Sequence, residues 1–198
     1  MIKSLLILIV SLMVIGKPDL YKFPIYKIEQ ASVFYRIQNI STSYNDTLQR
    51  VFIDYGDKEI ITNCLNSEQH FKLVKIDSFQ YSFLDSFQCI KSRRDLRFSL
   101  KNFTVNTDSI NNSLGYKVKK IGEEKFLAVQ CEKFSFVNGH EHVSGTFLMW
   151  KNIPLKIVVE WESNSQIIQA FKIDTFIKQD RQIFSIPANI KVLDMTRN

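Results

Sequence analysis

The sequence predicts a mainly β protein, a single domain built as an antiparallel meander. Three observations lead there. The chain carries 16 Phe and 7 Tyr among its 198 residues, with Ile and Val recurring throughout and Ala scarce. Aromatic and β-branched side chains suit a pleated surface, whereas Ala is the strongest helix former. Apolar residues then alternate over short runs, and tight-turn signals such as Asp54-Tyr55-Gly56-Asp57 and Asn138-Gly139 separate those runs. With 45% apolar residues, a chain of this length buries a core that needs no metal or disulfide staple.

The elements follow in order. A Pro-bearing lead, Lys17 to Pro24, precedes a strand from Ala31 to Gln38 whose Val33, Tyr35 and Ile37 share a face. Arg50–Asp54 and Lys58–Thr62 form a hairpin about the Asp54–Asp57 turn, and Phe71–Ile76, Phe79–Phe83 and Gln88–Lys91 continue the series. Ser92 to Leu114 is ambiguous. Leu96, Leu100 and Phe103 have helical spacing, yet Leu96, Phe98 and Leu100 alternate as in a strand, so a short helix or an irregular crossing is expected. Strands resume with Tyr116–Ile121, ended by Gly122, then Lys125–Gln130, Cys131–Val137 and Gly145–Trp150. Leu155–Trp161, Gln166–Phe176 and Gln182–Ile186 close the list. Pro154 stands at a strand start, where its missing N–H breaks no ladder bond.

Residues 1–16 read as a secretory signal. Lys3 supplies the positive start, Leu5 to Ile15 an apolar stretch interrupted by Ser11, and Val14-Ile15-Gly16 a cleavage site. The stretch is too short to span a bilayer comfortably, so a cleaved signal is expected rather than an anchor. The first cysteine is Cys64, which leaves no lipoprotein attachment point after the apolar stretch. Residues 17–198 are then one exported, periplasmic or secreted domain, expected to be monomeric.

A net charge of +6 fits attraction to anionic lipid or nucleic acid, or simply a solvated surface. Export argues against nucleic acid. The densest basic stretch combines Arg93, Arg94, Arg97 and Lys101 with Lys117, Lys119 and Lys120; it is a solvated face or an edge that approaches anionic membrane. Cys64, Cys89 and Cys131 suit neither a zinc site nor a redox pair. They are buried thiols, or one pair is bridged. For a bridge, Cys89–Cys131 is preferred, because both lie in expected strands that could be neighbours.

No catalytic motif is present, and no cofactor is implied. The sequence holds no nucleophile elbow, phosphate loop, dinucleotide fingerprint or zinc-protease motif, and only 6 Gly are available for phosphate cradles. His140-Glu141-His142 lies beside the Asn138-Gly139 turn and reads as a solvated hairpin tip; a metal there would lack a third ligand, and His70 stands apart. Asn39, Asn45, Asn102 and Asn111 begin N-glycosylation sequons, which matter only in a eukaryotic source. Phe134, Phe136, Phe147, Met149, Trp150 and Trp161 crowd the C-terminal half. They are ordinary core, or they line the concave face of an incompletely closed sheet and hold an apolar ligand there.

Gly122 with Phe126 to Cys131, then Trp150-Lys151-Asn152-Ile153-Pro154-Leu155-Lys156, then Phe184-Ser185-Ile186-Pro187, resemble motifs of the LolA/LolB-like periplasmic domains. Val51-Phe52-Ile53-Asp54-Tyr55-Gly56 is similar to their early strand and turn. Ala128-Val129-Gln130 departs from the pattern, which carries a second glycine before the cysteine. The resemblance covers roughly Ala31 to Val192. It implies a strongly curved antiparallel sheet, an open half-barrel, with one or two short helices on the concave side. The leading reading is then a lipid or other apolar ligand held in the concave face, with a cell-envelope structural or interaction module without ligand, and an unrecognised extracellular enzyme, as the other readings. N-terminal sequencing of the protein recovered from the cell envelope should begin at or near Lys17; an intact Met1 on a membrane-integrated protein would overturn the export reading.

Overall fold

The computed structural model describes residues 25–41, 44–63, 72–93, 116–139, 142–176, 178 and 180–196. Within them, twelve strands make one sheet. They are β1 (Ala31–Asn39), β2 (Tyr44–Ile53), β3 (Lys58–Asn63), β4 (Lys72–Ile76), β5 (Phe79–Phe83) and β6 (Gln88–Arg93). After these come β7 (Tyr116–Phe126), β8 (Val129–Asn138), β9 (Val143–Trp150), β10 (Ile153–Trp161), β11 (Asn164–Asp174) and β12 (Lys191–Asp194). The order is β12-β6-β5-β4-β3-β2-β1-β11-β10-β9-β8-β7. Two meanders, β1 to β6 and β7 to β11, are thus zipped together along β1 and β11. Every pairing is antiparallel except that of β12 with β6.

The sheet is curved and does not close into a barrel, which fits the expected half-barrel. One hydrogen bond reports the bend. The Tyr35 hydroxyl on β1 donates to the Pro154 carbonyl on β10 at 2.9 Å, passing over β11, where Ala170 lies opposite Tyr35. Two strand spacings in a flat sheet come to about 9.6 Å, farther than a Tyr side chain reaches. The sheet must therefore curl toward the face bearing Tyr35, and Ala170 is small enough to leave room beneath the ring.

Several expected boundaries move. Gly122 does not end a strand; β7 runs on to Phe126 through a bulge between Lys120 and Gly122. The turn falls at Leu127-Ala128, both left-handed at φ 48° and 63°. The expected strand at Gln182–Ile186 is instead a 3₁₀ turn, Arg181–Phe184, capped by the Asp180 carboxylate, which accepts from the Gln182 N–H at 2.9 Å. Short β12 follows it and has no counterpart among the expected strands. Ser92 and Arg93 close β6, while the rest of the ambiguous Ser92–Leu114 stretch lies outside the described residues.

Two chain segments seal the two faces of β2–β4. On the concave face, the Phe52 and Tyr26 rings pack at 4.0 Å between centroids, tilted by 31°, within a core of Ala31, Val33, Tyr35, Leu155 and Ala170. The incoming segment that carries Tyr26 is tied to the β2–β3 turn by Tyr26 N–H to Tyr55 O, and to the β9–β10 turn by Lys27 N–H to Lys151 O. On the convex face, Val51, Ile53, Ile60 and Val74 are covered by Phe184 of the 3₁₀ turn.

One ionic group is buried with this core. Glu59 is 1% exposed; its Oε1 lies 3.0 Å from Arg50 Nε and its Oε2 lies 2.8 Å from Lys75 Nζ. The Arg50 Nε–H is not aimed at the oxygen, so that contact is an ion pair rather than a hydrogen bond. The Tyr26 hydroxyl donates to Glu59 Oε1 at 2.7 Å. Burial pushes the Tyr26 phenol well above its ordinary value and the Tyr35 phenol up to about 12, so both keep the protons they donate.

The disulfide preference is corrected. Cys89 on β6 and Cys131 on β8 are buried free thiols, and eight strands of the sheet lie between theirs. Burial raises both thiol pKa values, which keeps them protonated and unreactive. Cys64 lies outside the described residues.

Removing the Glu59 carboxylate strands two cations beside a buried core. Glu59→Ala should cost about 3–5 kcal/mol, and Tyr26→Phe about 1–2 kcal/mol, in urea unfolding. Equal, small losses from both would show that Glu59 is not the anchor of this region.

Candidate functional site

The register places four of the six aromatic-site candidates together. Phe134 lies opposite Phe147, Phe147 opposite Ile157, Ile157 opposite Ile168, and Ile168 opposite Ile37. Directly opposed residues share a face, so this cluster is on the concave side with Tyr35. Phe134 and Phe147 stack at 5.0 Å with 10° between planes, and Phe136 tilts against Phe147 at 6.2 Å. Met149, Val118 and Ile157 complete the group.

The group is shut. Phe147 and Met149 are 2% exposed and Phe134 6%. Gly145 accounts for part of the fit: a Cβ there would meet the Val158 carbonyl at 2.0 Å and the Phe136 ring at 2.7 Å. Absence of a side chain lets Phe136 lie flat on the sheet. Trp150 is not part of this group. It packs instead against the neighbouring core with Ile153 and Leu148, and the Lys151 ammonium lies 4.9 Å from its ring centroid. Trp161 shares the concave side but stands at the end of β10, half-buried, opposite Val143 and Asn164.

Other candidates are dispersed. His142 is exposed in the β8–β9 turn at φ 52°, while His70, His140 and Glu141 lie outside the described residues. Lys117, Lys119 and Lys120 line the edge strand β7, and Arg93 ends β6.

Sequence reading misses the surface that is open. A cleft of about 470 Å³ lies on the convex face between β5–β6–β12 and the chain after the 3₁₀ turn. Tyr81, Ile186, Pro187, Ile190 and Val192 give it an apolar lining, with the Lys91–Asp194 ion pair, 3.2 Å, at one side. Thr196 and Lys91 hold the Asp194 carboxyl down at about 2. Exposed apolar side chains gather at the same end of the sheet: Phe87 is 69% exposed, Leu84 and Met195 56%, and Val192 41%. The Lys191 N–H donates to the Phe87 carbonyl at 2.7 Å, which fixes this group beside β12. Phe87 and Leu84 look like turn residues in the sequence, and only the pairing of β12 with β6 reveals the patch.

Because the Phe cluster is packed rather than lining a cleft, its loss should register as instability. Phe147→Ala should lower the unfolding free energy by about 3–5 kcal/mol, measured by urea denaturation. A stable Phe147→Ala protein would mean the cluster is loosely held and free to accept a ligand.

No family model and no curated protein matches the sequence. Solved structures do share its fold. MucB in the MucA/MucB complex of Pseudomonas aeruginosa aligns with a TM-score of 0.53 and 12% identity over 83% of this chain, which spans only 58% of that one. A conserved uncharacterised protein from Thermus thermophilus gives 0.55 and 10% identity, over 85% of this chain and 92% of that one. The LolA superfamily protein NE2245 from Nitrosomonas europaea covers 80% of this chain and 90% of its own at 12% identity, but its TM-score of 0.39 carries no weight. At this level of identity the likeness is one of fold: the chain has the open, curled sheet shared with MucB and the Thermus thermophilus protein.

Proposed function

We propose that this chain is a non-catalytic interaction module of the cell envelope that holds an apolar segment of a partner protein at the β6–β12 end of its sheet. One observation carries the reading. Of the apolar side chains expected to line a ligand site, Phe134, Phe147 and Met149 are buried, while Leu84, Phe87, Val192 and Met195 stand in water at the β6–β12 end, where Val192 lines an open, partly apolar cleft. Exposed apolar area costs about 25 cal/mol per Å², so apolar side chains left in water beside a cleft favour a partner that covers them. Export to the envelope is supported by Lys3 and the apolar Leu5–Ile15 stretch. A protein partner is supported by MucB, which shares the fold and is seen in complex with MucA.

An acyl chain is the second reading, favoured by Ile186, Pro187, Ile190 and Val192 lining the same cleft. Placing a photo-crosslinker at Phe87 in the living cell, with one at exposed Tyr55 as control, separates the two. A discrete protein adduct from position 87 alone, lost on Val192→Asp, supports the module. A lipid adduct at 87, matched by lipid mass on the native protein, supports the acyl reading. Adducts in equal yield from both positions would overturn both.

A further inference from the structure

Strand β7 ends the sheet, and of the described strands only β8 pairs with it. Its outer edge therefore offers backbone N–H and C=O groups along an 11-residue strand. Lysines on such an edge ordinarily keep other strands away. Here they are matched: Lys119-Lys120-Ile121-Gly122-Glu123-Glu124 reads as cation, cation, spacer, spacer, anion, anion. Laid antiparallel against a copy of itself, with the two-fold axis between Ile121 and Gly122, it sets Lys120 across from Glu123 and Lys119 across from Glu124, each pair occurring twice.

In a regular strand this register would fail. Residues an odd number apart point to opposite faces, so Lys120 and Glu123 could not meet. The bulge removes the obstacle. Lys120 lies opposite Phe134 and Glu123 opposite Glu132, both on one face; Lys119 lies opposite Ser135 and Glu124 opposite Cys131, both on the other. Lys120 Nζ to Glu123 Oε1 is 3.6 Å within the chain, as side chains on a common face allow. Gly122 adds no Cβ at the crossing point, and none placed there would meet a neighbour within 4 Å.

We infer that two copies of this chain associate edge to edge through β7, antiparallel, continuing the sheet across a two-fold axis. The sequence alone leads to the expectation of a monomer; the bulge is what changes it. The four cross-strand ion pairs are exposed, so they set register and choice of partner, and salt screens them.

Sedimentation equilibrium of the mature protein at low ionic strength tests this. A dimer should form with rising concentration and weaken as salt is added. Lys119 is exposed and makes no ion pair among the described residues, so Lys119→Glu should leave the unfolding midpoint unchanged while weakening association about tenfold through like charges across the seam. Adding Glu124→Lys to that variant should recover association. Glu124 also pairs with Lys133 at 2.6 Å, so folding of the double variant is checked by its unfolding midpoint, and the single variant decides if it falls. A monomer at every concentration, or a dimer indifferent to Lys119→Glu, overturns the proposal.

Discussion

A carboxylate buried against two cations cannot be left uncompensated, and that constraint organises one half of this molecule. Glu59 sits on β3, Arg50 on β2, Lys75 on β4, and Tyr26 on the segment that enters beneath them. Each contributes one contact, and each is thereby fixed relative to the others. Placing Tyr26 over Phe52 then covers the concave core, and Gly56 is where the ring comes closest: a Cβ there would lie 2.7 Å from it at a left-handed φ of 96°. Ion pairs of this kind rarely add much net stability. What this one supplies is position, because Tyr26 can reach Glu59 only when the incoming segment lies across the sheet end.

Much of the fold is legible in the residues alone, because strands announce themselves by period and turns by chemistry. Val33, Tyr35 and Ile37 do share a buried face, and the Asp54–Asp57 turn does join a hairpin. The departures have a common cause. Gly122 reads as a stop because glycine weakens a strand, yet a bulge uses the same residue to keep the strand going. Gln182–Ile186 reads as a strand, but the Asp180 cap tightens its start into a 3₁₀ turn. Both outcomes depend on what lies alongside, which a single strand's pattern does not contain.

The site is less legible than the fold, for a related reason. Phe134, Phe136, Phe147 and Met149 do form one group, since alternation puts neighbours in register on one face. Whether such a group lines a cavity or fills it depends on small residues opposite, and Gly145 fills that role only because β8 and β9 pair as they do. The open patch has no sequence signal at all. Leu84, Phe87, Val192 and Met195 come from two distant segments, joined by the single parallel pairing in the sheet.

The zipper between β1 and β11 carries a consequence for the order in which the chain becomes structured. Within each meander every strand pairs with its immediate successor, so contacts there are local and form early. The seam pairs the first strand with the eleventh, and the Tyr35–Pro154 bond across it joins residues 119 apart in sequence. Closing so long a loop has to be accomplished before any contact along the seam repays it. Until β11 exists, β1 keeps a bare edge and Tyr35 has no acceptor at Pro154. A chain emerging N-terminus first therefore cannot join its two halves until β11 has appeared, and of the described strands only β12 emerges later.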